Sequence, residues 1–93
     1  MDIIWTNRAL DEYETVVYYL LDKWTEKEAQ KFILGVESVV SKIRTNRNMF
    51  KASQANSYMR KAKITKHNSI IYHVDNDEII VLRVIDNRSD ELH

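Results

Sequence analysis

The chain has 93 residues, 44% of them hydrophobic and 30% charged, with fourteen basic and fourteen acidic side chains and no cysteine. That is enough for one hydrophobic core and too little for two; it is too apolar and too evenly charged for disorder, and it lacks the thiols of a disulfide framework or a thiolate zinc site. Met1 to Trp5 shows no basic start leading into a long apolar stretch, and no run approaches the roughly 18 apolar residues of a membrane span, so a cytoplasmic protein with no membrane partner is expected.

Ile3, Ile4 and Trp5 are β-prone, and Thr6 or Asn7 then offers an N-cap oxygen, so a short strand feeds a helix. From Ala9 the apolar positions Leu10, Tyr13, Val16/Val17, Leu20/Leu21 and Trp24 recur at steps of three and four, the stripe of an amphipathic helix. Thr25-Glu26-Lys27-Glu28 has the form of a capping box and starts a second helix, whose stripe reads Ala29, Phe32/Ile33, Val36, Val39/Val40 and Ile43. Almost no loop separates the two, so they must lie antiparallel as a helical hairpin. Residues 45–57 lose all periodicity and read as loop, anchored by Met49 and Phe50. Three strands follow, Tyr58 to Thr65, Ser69 to Val74 and Glu78 to Asp86, turned by Lys66-His67-Asn68 and Asp75-Asn76-Asp77. The expected fold is one α+β domain over 1–93 in the order β-α-α-β-β-β, its helical hairpin on one face of a mainly antiparallel sheet.

The neutral total hides a segregated charge. Residues 1–40 hold eight acids and four bases, residues 41–74 hold eight bases and no acid, and residues 75–93 hold six acids and two bases. Such a middle is either a solvated basic surface or the footprint of a polyanion or acidic partner. Strand alternation puts Lys61 and Lys63 on one face of their strand and Arg60 with Ala62 on the other. It also sets Arg83 among Ile79, Val81 and Ile85, where a guanidinium must either snorkel out or sit in a polar site. Arg88, between Asp86 and Asp90, reads as one half of a tethering ion pair. His67 lies in a turn beside Lys66, either as an exposed residue or as an acid–base group. His67, His73 and His93 share no metal-ligand spacing, and no phosphate loop, G-x-S-x-G or H-E-x-x-H occurs, so neither metal nor cofactor is expected. Tyr18, Tyr19, Tyr58 and Tyr72 offer rings for base stacking, although Tyr13 and Tyr72 hold positions that a core also claims.

The run from Tyr58 to Val74, with Arg60-Lys61-Ala62-Lys63-Ile64-Thr65-Lys66-His67-Asn68 at its centre, resembles the RelE/ParE superfamily of bacterial toxins from type II toxin–antitoxin, or plasmid-stabilisation, systems. Leu82-Arg83-Val84-Ile85-Asp86-Asn87-Arg88, Ile4-Trp5-Thr6 and Tyr18-Tyr19-Leu20 with Trp24 carry the same resemblance over nearly the whole chain. It implies a growth-inhibiting toxin neutralised by a cognate antitoxin, in a hetero-oligomer where an acidic peptide docks on a sheet edge or in a basic, apolar-lined groove. RelE-like members cut messenger RNA on the ribosome without a metal, and by position Arg60, Lys61, Lys63 and Arg88 would be the catalytic set; ParE-like members inhibit DNA gyrase. Here Ser69 stands where the nucleases carry a further basic residue, and no Tyr follows Arg88, so the ParE-like branch is favoured. Lys66, His67, Arg83 and Arg88 are the expected target-binding residues. The alternatives are the ribosome-dependent nuclease, a decayed toxin that only binds its antitoxin, and a plain RNA-binding domain with steeply salt-dependent affinity.

Overall fold

The chain runs β1 (Asp2–Trp5), α1 (Asn7–Lys23), α2 (Glu26–Thr45), β2 (Arg60–Lys63), β3 (Asn68–Asp75) and β4 (Glu78–Asp86), the expected order. The computed structural model describes residues 2–46 and 58–88, so the anchoring expected of Met49 and Phe50, and the readings of Asp90 and His93, lie outside the described residues. No helix among the described residues is long and apolar enough to cross a membrane.

Each helix starts on a threonine. Thr6 Oγ1 accepts the Ala9 amide at 3.1 Å and Thr25 Oγ1 accepts the Glu28 amide at 3.1 Å, each satisfying one of the donors a helix leaves open. All five fully buried positions of α2, Ala29, Phe32, Val36, Val39 and Ile43, belong to the stripe legible in the sequence. Helix α1 packs less deeply: only Ala9 is fully buried, Tyr13, Val16, Val17 and Leu20 lean on the core, and Tyr18, Tyr19 and Trp24 are exposed. Trp5, Tyr13 and Phe32 link β1, α1 and α2 through ring contacts at 5.5 Å each, an arrangement that adds specificity to the apolar burial.

The sheet has the order β1-β4-β3-β2, with β1 parallel to β4 and both other pairings antiparallel. Asn76, at φ 54, takes the left-handed conformation in the tight turn between β3 and β4, which an asparagine tolerates. Ile70, Tyr72, Ile79, Val81 and Val84 meet the helices in the core. That list corrects the strict alternation read along β4. The register slips between Ile71 and Tyr72, where Tyr72 pairs with Val81 but Ile71 with Arg83, leaving Leu82 as an extra residue. A bulge of this kind resets which face a strand presents. Val81 and Val84 therefore both face the helices, and Arg83 does not continue the Ile79–Val81 series.

The single glycine, Gly35, sets α2 against Ile64, the residue that follows β2. A Cβ there would stand 3.0 Å from Ile64 Cγ2 and 3.2 Å from the Ile64 carbonyl oxygen. Alanine gains about 1 kcal/mol of helix propensity, whereas overpacking typically costs about 1–3 kcal/mol. Gly35→Ala is therefore expected to destabilise the fold by a net of about 1 kcal/mol, read as a lower urea midpoint at an unchanged m-value; a raised midpoint would show that Ile64 yields freely.

Candidate functional site

The described basic residues of the middle stretch do not gather on one side of the sheet. In the edge strand β2, Lys61 lies opposite Ile71 and Lys63 opposite Ser69, while Arg60 lies opposite Tyr72 on the helix side with the buried Ala62. Lys42 and Arg44 fall in the last turn of α2, where cations suit the helix dipole. Lys66 and His67 lie in the turn between β2 and β3, and Arg88 directly follows β4.

Arg83 resolves to the polar of its two expected sites. Strand β1 stops at Trp5, opposite Val81, and α1 takes over the edge of β4 from there. Thr6 donates its amide to the Val81 carbonyl at 3.1 Å and its hydroxyl to the Leu82 carbonyl at 3.2 Å. Glu12 accepts the Val84 amide at 3.0 Å and is clasped by Arg83, through Nε at 3.0 and 2.9 Å and Nη2 at 2.7 Å. Burial alone would raise the Glu12 carboxyl. The hydrogen bonds from Arg83 and Val84, with the charges of Arg83 and Arg8, outweigh it and hold the carboxyl below its ordinary value. Arg83 is thus committed to holding α1 on β4.

Arg88 is held in the same manner by a nearer acid. Its amide donates to Asp86 Oδ1 at 2.8 Å, and its guanidinium reaches both carboxylate oxygens, Nε to Oδ1 at 3.1 Å and Nη2 to Oδ2 at 2.8 Å. Those bonds, side chain first and then backbone, lower the Asp86 carboxyl to about 2. A carboxyl depressed in the folded state contributes stability above its unfolded value near about 3.9, and the contribution is lost as pH falls through the folded value. Asp86→Asn should therefore flatten the acid limb of stability between about pH 4 and pH 2, measured by urea unfolding. The pair is exposed, so raised salt should shrink the difference.

Between them Asn87 ties the turn to the strand end. Its amide donates to the His67 carbonyl at 2.8 Å, its side-chain nitrogen to the carbonyls of Thr65 and Lys66 at 3.2 Å each, and its Oδ1 accepts the Ser69 hydroxyl at 2.5 Å. Ser69 is fully buried, which gives the departure at this position a physical account: a cationic side chain would lie where a buried hydroxyl completes a network. Lys66, His67 and Arg88 are brought together at one end of the sheet, while Arg60, Lys61 and Lys63 line its β2 edge.

A cavity of about 530 Å³ opens beside this end, between α1 and the last residues of β4. Val16, Leu20, Val84 and Ile85 line its apolar part and Tyr19 and Trp24 its walls. The His67 ring sits 6.1 Å from that of Trp24. Asp11, Glu12, Glu28 and Asp86 bring four carboxylates to the lining, so the groove is acid-rimmed and not basic. Glu12, Asn87 and Trp24 were not legible as site residues; the one hint was that Arg83, set in an apolar strand, required a partner.

The sequence matches, over residues 3–91, the family described as ParE toxin of type II toxin–antitoxin system, parDE. No curated protein matches it significantly. Among solved structures, it resembles the chromosomal ParDE TA system from P. aeruginosa, with 20% identity, a TM-score of 0.71, and coverage of 92% of this chain and 95% of that one. A YoeB/ParE toxin from Agrobacterium tumefaciens shares 13% identity at a TM-score of 0.67, over 94% of this chain and 99% of that one. The YoeB dimer from Staphylococcus aureus shares 15% identity at 0.64, over 89% and 92%. At such identities the likeness is one of fold.

Proposed function

Because the chain belongs to the ParE toxin family of type II toxin–antitoxin systems, we propose that it arrests growth by binding DNA gyrase without cutting nucleic acid, and that a cognate antitoxin neutralises it. The observation that carries the binding reading is the Asp86–Arg88 clasp. Cleavage of RNA by its own 2′-hydroxyl needs a group to take a proton, a cation for the developing phosphate charge and an acid for the leaving oxygen. Here Arg88 directs Nε and Nη2 at the Asp86 carboxylate, and the neighbouring Ser69 is buried in a neutral network. Lys61 and Lys63 stand on a strand apart from it. Such a set favours docking against a protein over phosphate chemistry.

Two assays run side by side test this. The purified chain is expected to inhibit supercoiling by gyrase and to leave ribosome-bound mRNA whole, and its induction should stop growth unless the adjoining reading frame is co-expressed. Ribosome-dependent cleavage that disappears in Lys61→Ala or Arg88→Ala, with gyrase unaffected, would replace this reading with the nuclease. An antitoxin complex with no effect on either target would reduce the chain to a binding module.

A further inference from the structure

The groove beside β4 has the wrong charge for the acidic peptide that the basic middle of the sequence suggests. Of its four carboxylates, Glu12 is neutralised by Arg83 and Asp86 by Arg88. Asp11 and Glu28 form no ion pair among the described residues, and Glu28 is half-buried. Among the described residues no lysine lines the cavity, and the one arginine that does, Arg88, is engaged. An acidic side chain entering here would meet two uncompensated carboxylates. A basic one would find the opposite: apolar surface on Val16 and Leu20 for its alkyl stem, ring faces on Tyr19 and Trp24 for its cation, and carboxylates to complete the pair.

We propose that this groove receives a lysine or arginine, flanked by apolar residues, from a segment of the antitoxin. The inference rests on the antitoxin reading above and adds to it the sign of the docking charge. The groove volume suits one long basic side chain and two or three apolar neighbours.

The test uses the full chain and the protein encoded by the adjoining reading frame, with dissociation constants measured for wild type, Asp11→Asn, Asp11→Lys, Glu28→Gln and Glu28→Lys. Each neutral variant is expected to weaken the complex about threefold and each lysine variant more than about tenfold, with the wild-type complex weakening in high salt and the Glu28→Lys complex changing little. Glu28 sits in the first turn of α2, where a carboxylate also favours the helix. Asp11, exposed on α1, carries no such role, and thermal melts identify any variant that fails to fold. The Trp24 indole proton should shift on binding, and reversing one antitoxin Lys or Arg to Glu should restore affinity to Glu28→Lys. Both lysine variants binding within about twofold of wild type, or more tightly, would overturn the inference and leave the antitoxin reading standing. A folded wild-type chain that forms no complex would overturn that reading and this inference with it.

Discussion

Arg83→Met is expected to destabilise the protein by about 2–3 kcal/mol, measured by urea unfolding at neutral pH. The substitution keeps an apolar stem of similar length and removes the three donor contacts to Glu12. Glu12 is then left with the Val84 amide and with Arg8 at 3.9 Å, its side chain still only 23% exposed. Breaking a fully buried pair costs about 3–5 kcal/mol; the partial exposure of both partners reduces that here. Glu12→Gln should lose less, because the amide oxygen still accepts from Val84, and a double-mutant cycle should give a coupling of about 1–3 kcal/mol. The acid dependence follows from the sign of the Glu12 shift. Its carboxyl lies lower in the folded chain, so its contribution is complete above the unfolded value near about 4.3 and disappears as pH falls through the folded one. The gap between wild type and Arg83→Met should therefore close in acid. A gap that stays constant down to about pH 2 would assign the loss to packing instead of charge.

Asn87→Ala is expected to cost about 2–4 kcal/mol and to disconnect the residues that the site reading places together. It removes both donor contacts to the Thr65 and Lys66 carbonyls and leaves the Ser69 hydroxyl without its acceptor in a fully buried position. An orphaned buried hydroxyl alone costs about 1–3 kcal/mol. Asn87→Asp keeps an acceptor for Ser69 and loses the donors, so it should fall between wild type and alanine at neutral pH. The functional consequence is separable by NMR. With the turn released, the His67 ring should lose the ring-current shift imposed by Trp24, while signals of α2 stay in place. A His67 signal unchanged in folded Asn87→Ala would show that the turn holds itself.

Much of this architecture was legible because it obeys local rules. The α2 stripe from Ala29 to Ile43 repeats at helical spacing and every fully buried residue of that helix belongs to it, while Thr25 and Glu28 announce its start. Asp75-Asn76-Asp77 marks a turn through chemistry carried by the residues themselves. What stayed hidden depends on pairings distant in sequence. The bulge at Leu82 is invisible to a period-two reading, since it comes from how β4 sits against β3, and it misplaced Arg83 by a face. The parallel pairing of β1 with β4 is equally non-local. The charge of the groove was misread for a similar reason: the acid-free segment suggested a basic cleft, but the walls are built by α1, α2 and the end of β4, where the acids lie. Asn87 looks like an ordinary loop residue until the β2–β3 turn folds back onto it.

Strand β4 is the last of the described elements to leave the ribosome, yet it occupies an inner lane of the sheet, between the first strand and the third. Thr6 finds the Leu82 carbonyl only across 76 positions of chain. A nascent polypeptide that has not reached Glu78 therefore owns two helices and one hairpin without the strand that both β1 and β3 pair with. Truncation ahead of Asp86 removes the strand that β1 and β3 both pair with, and should yield a protease-sensitive product.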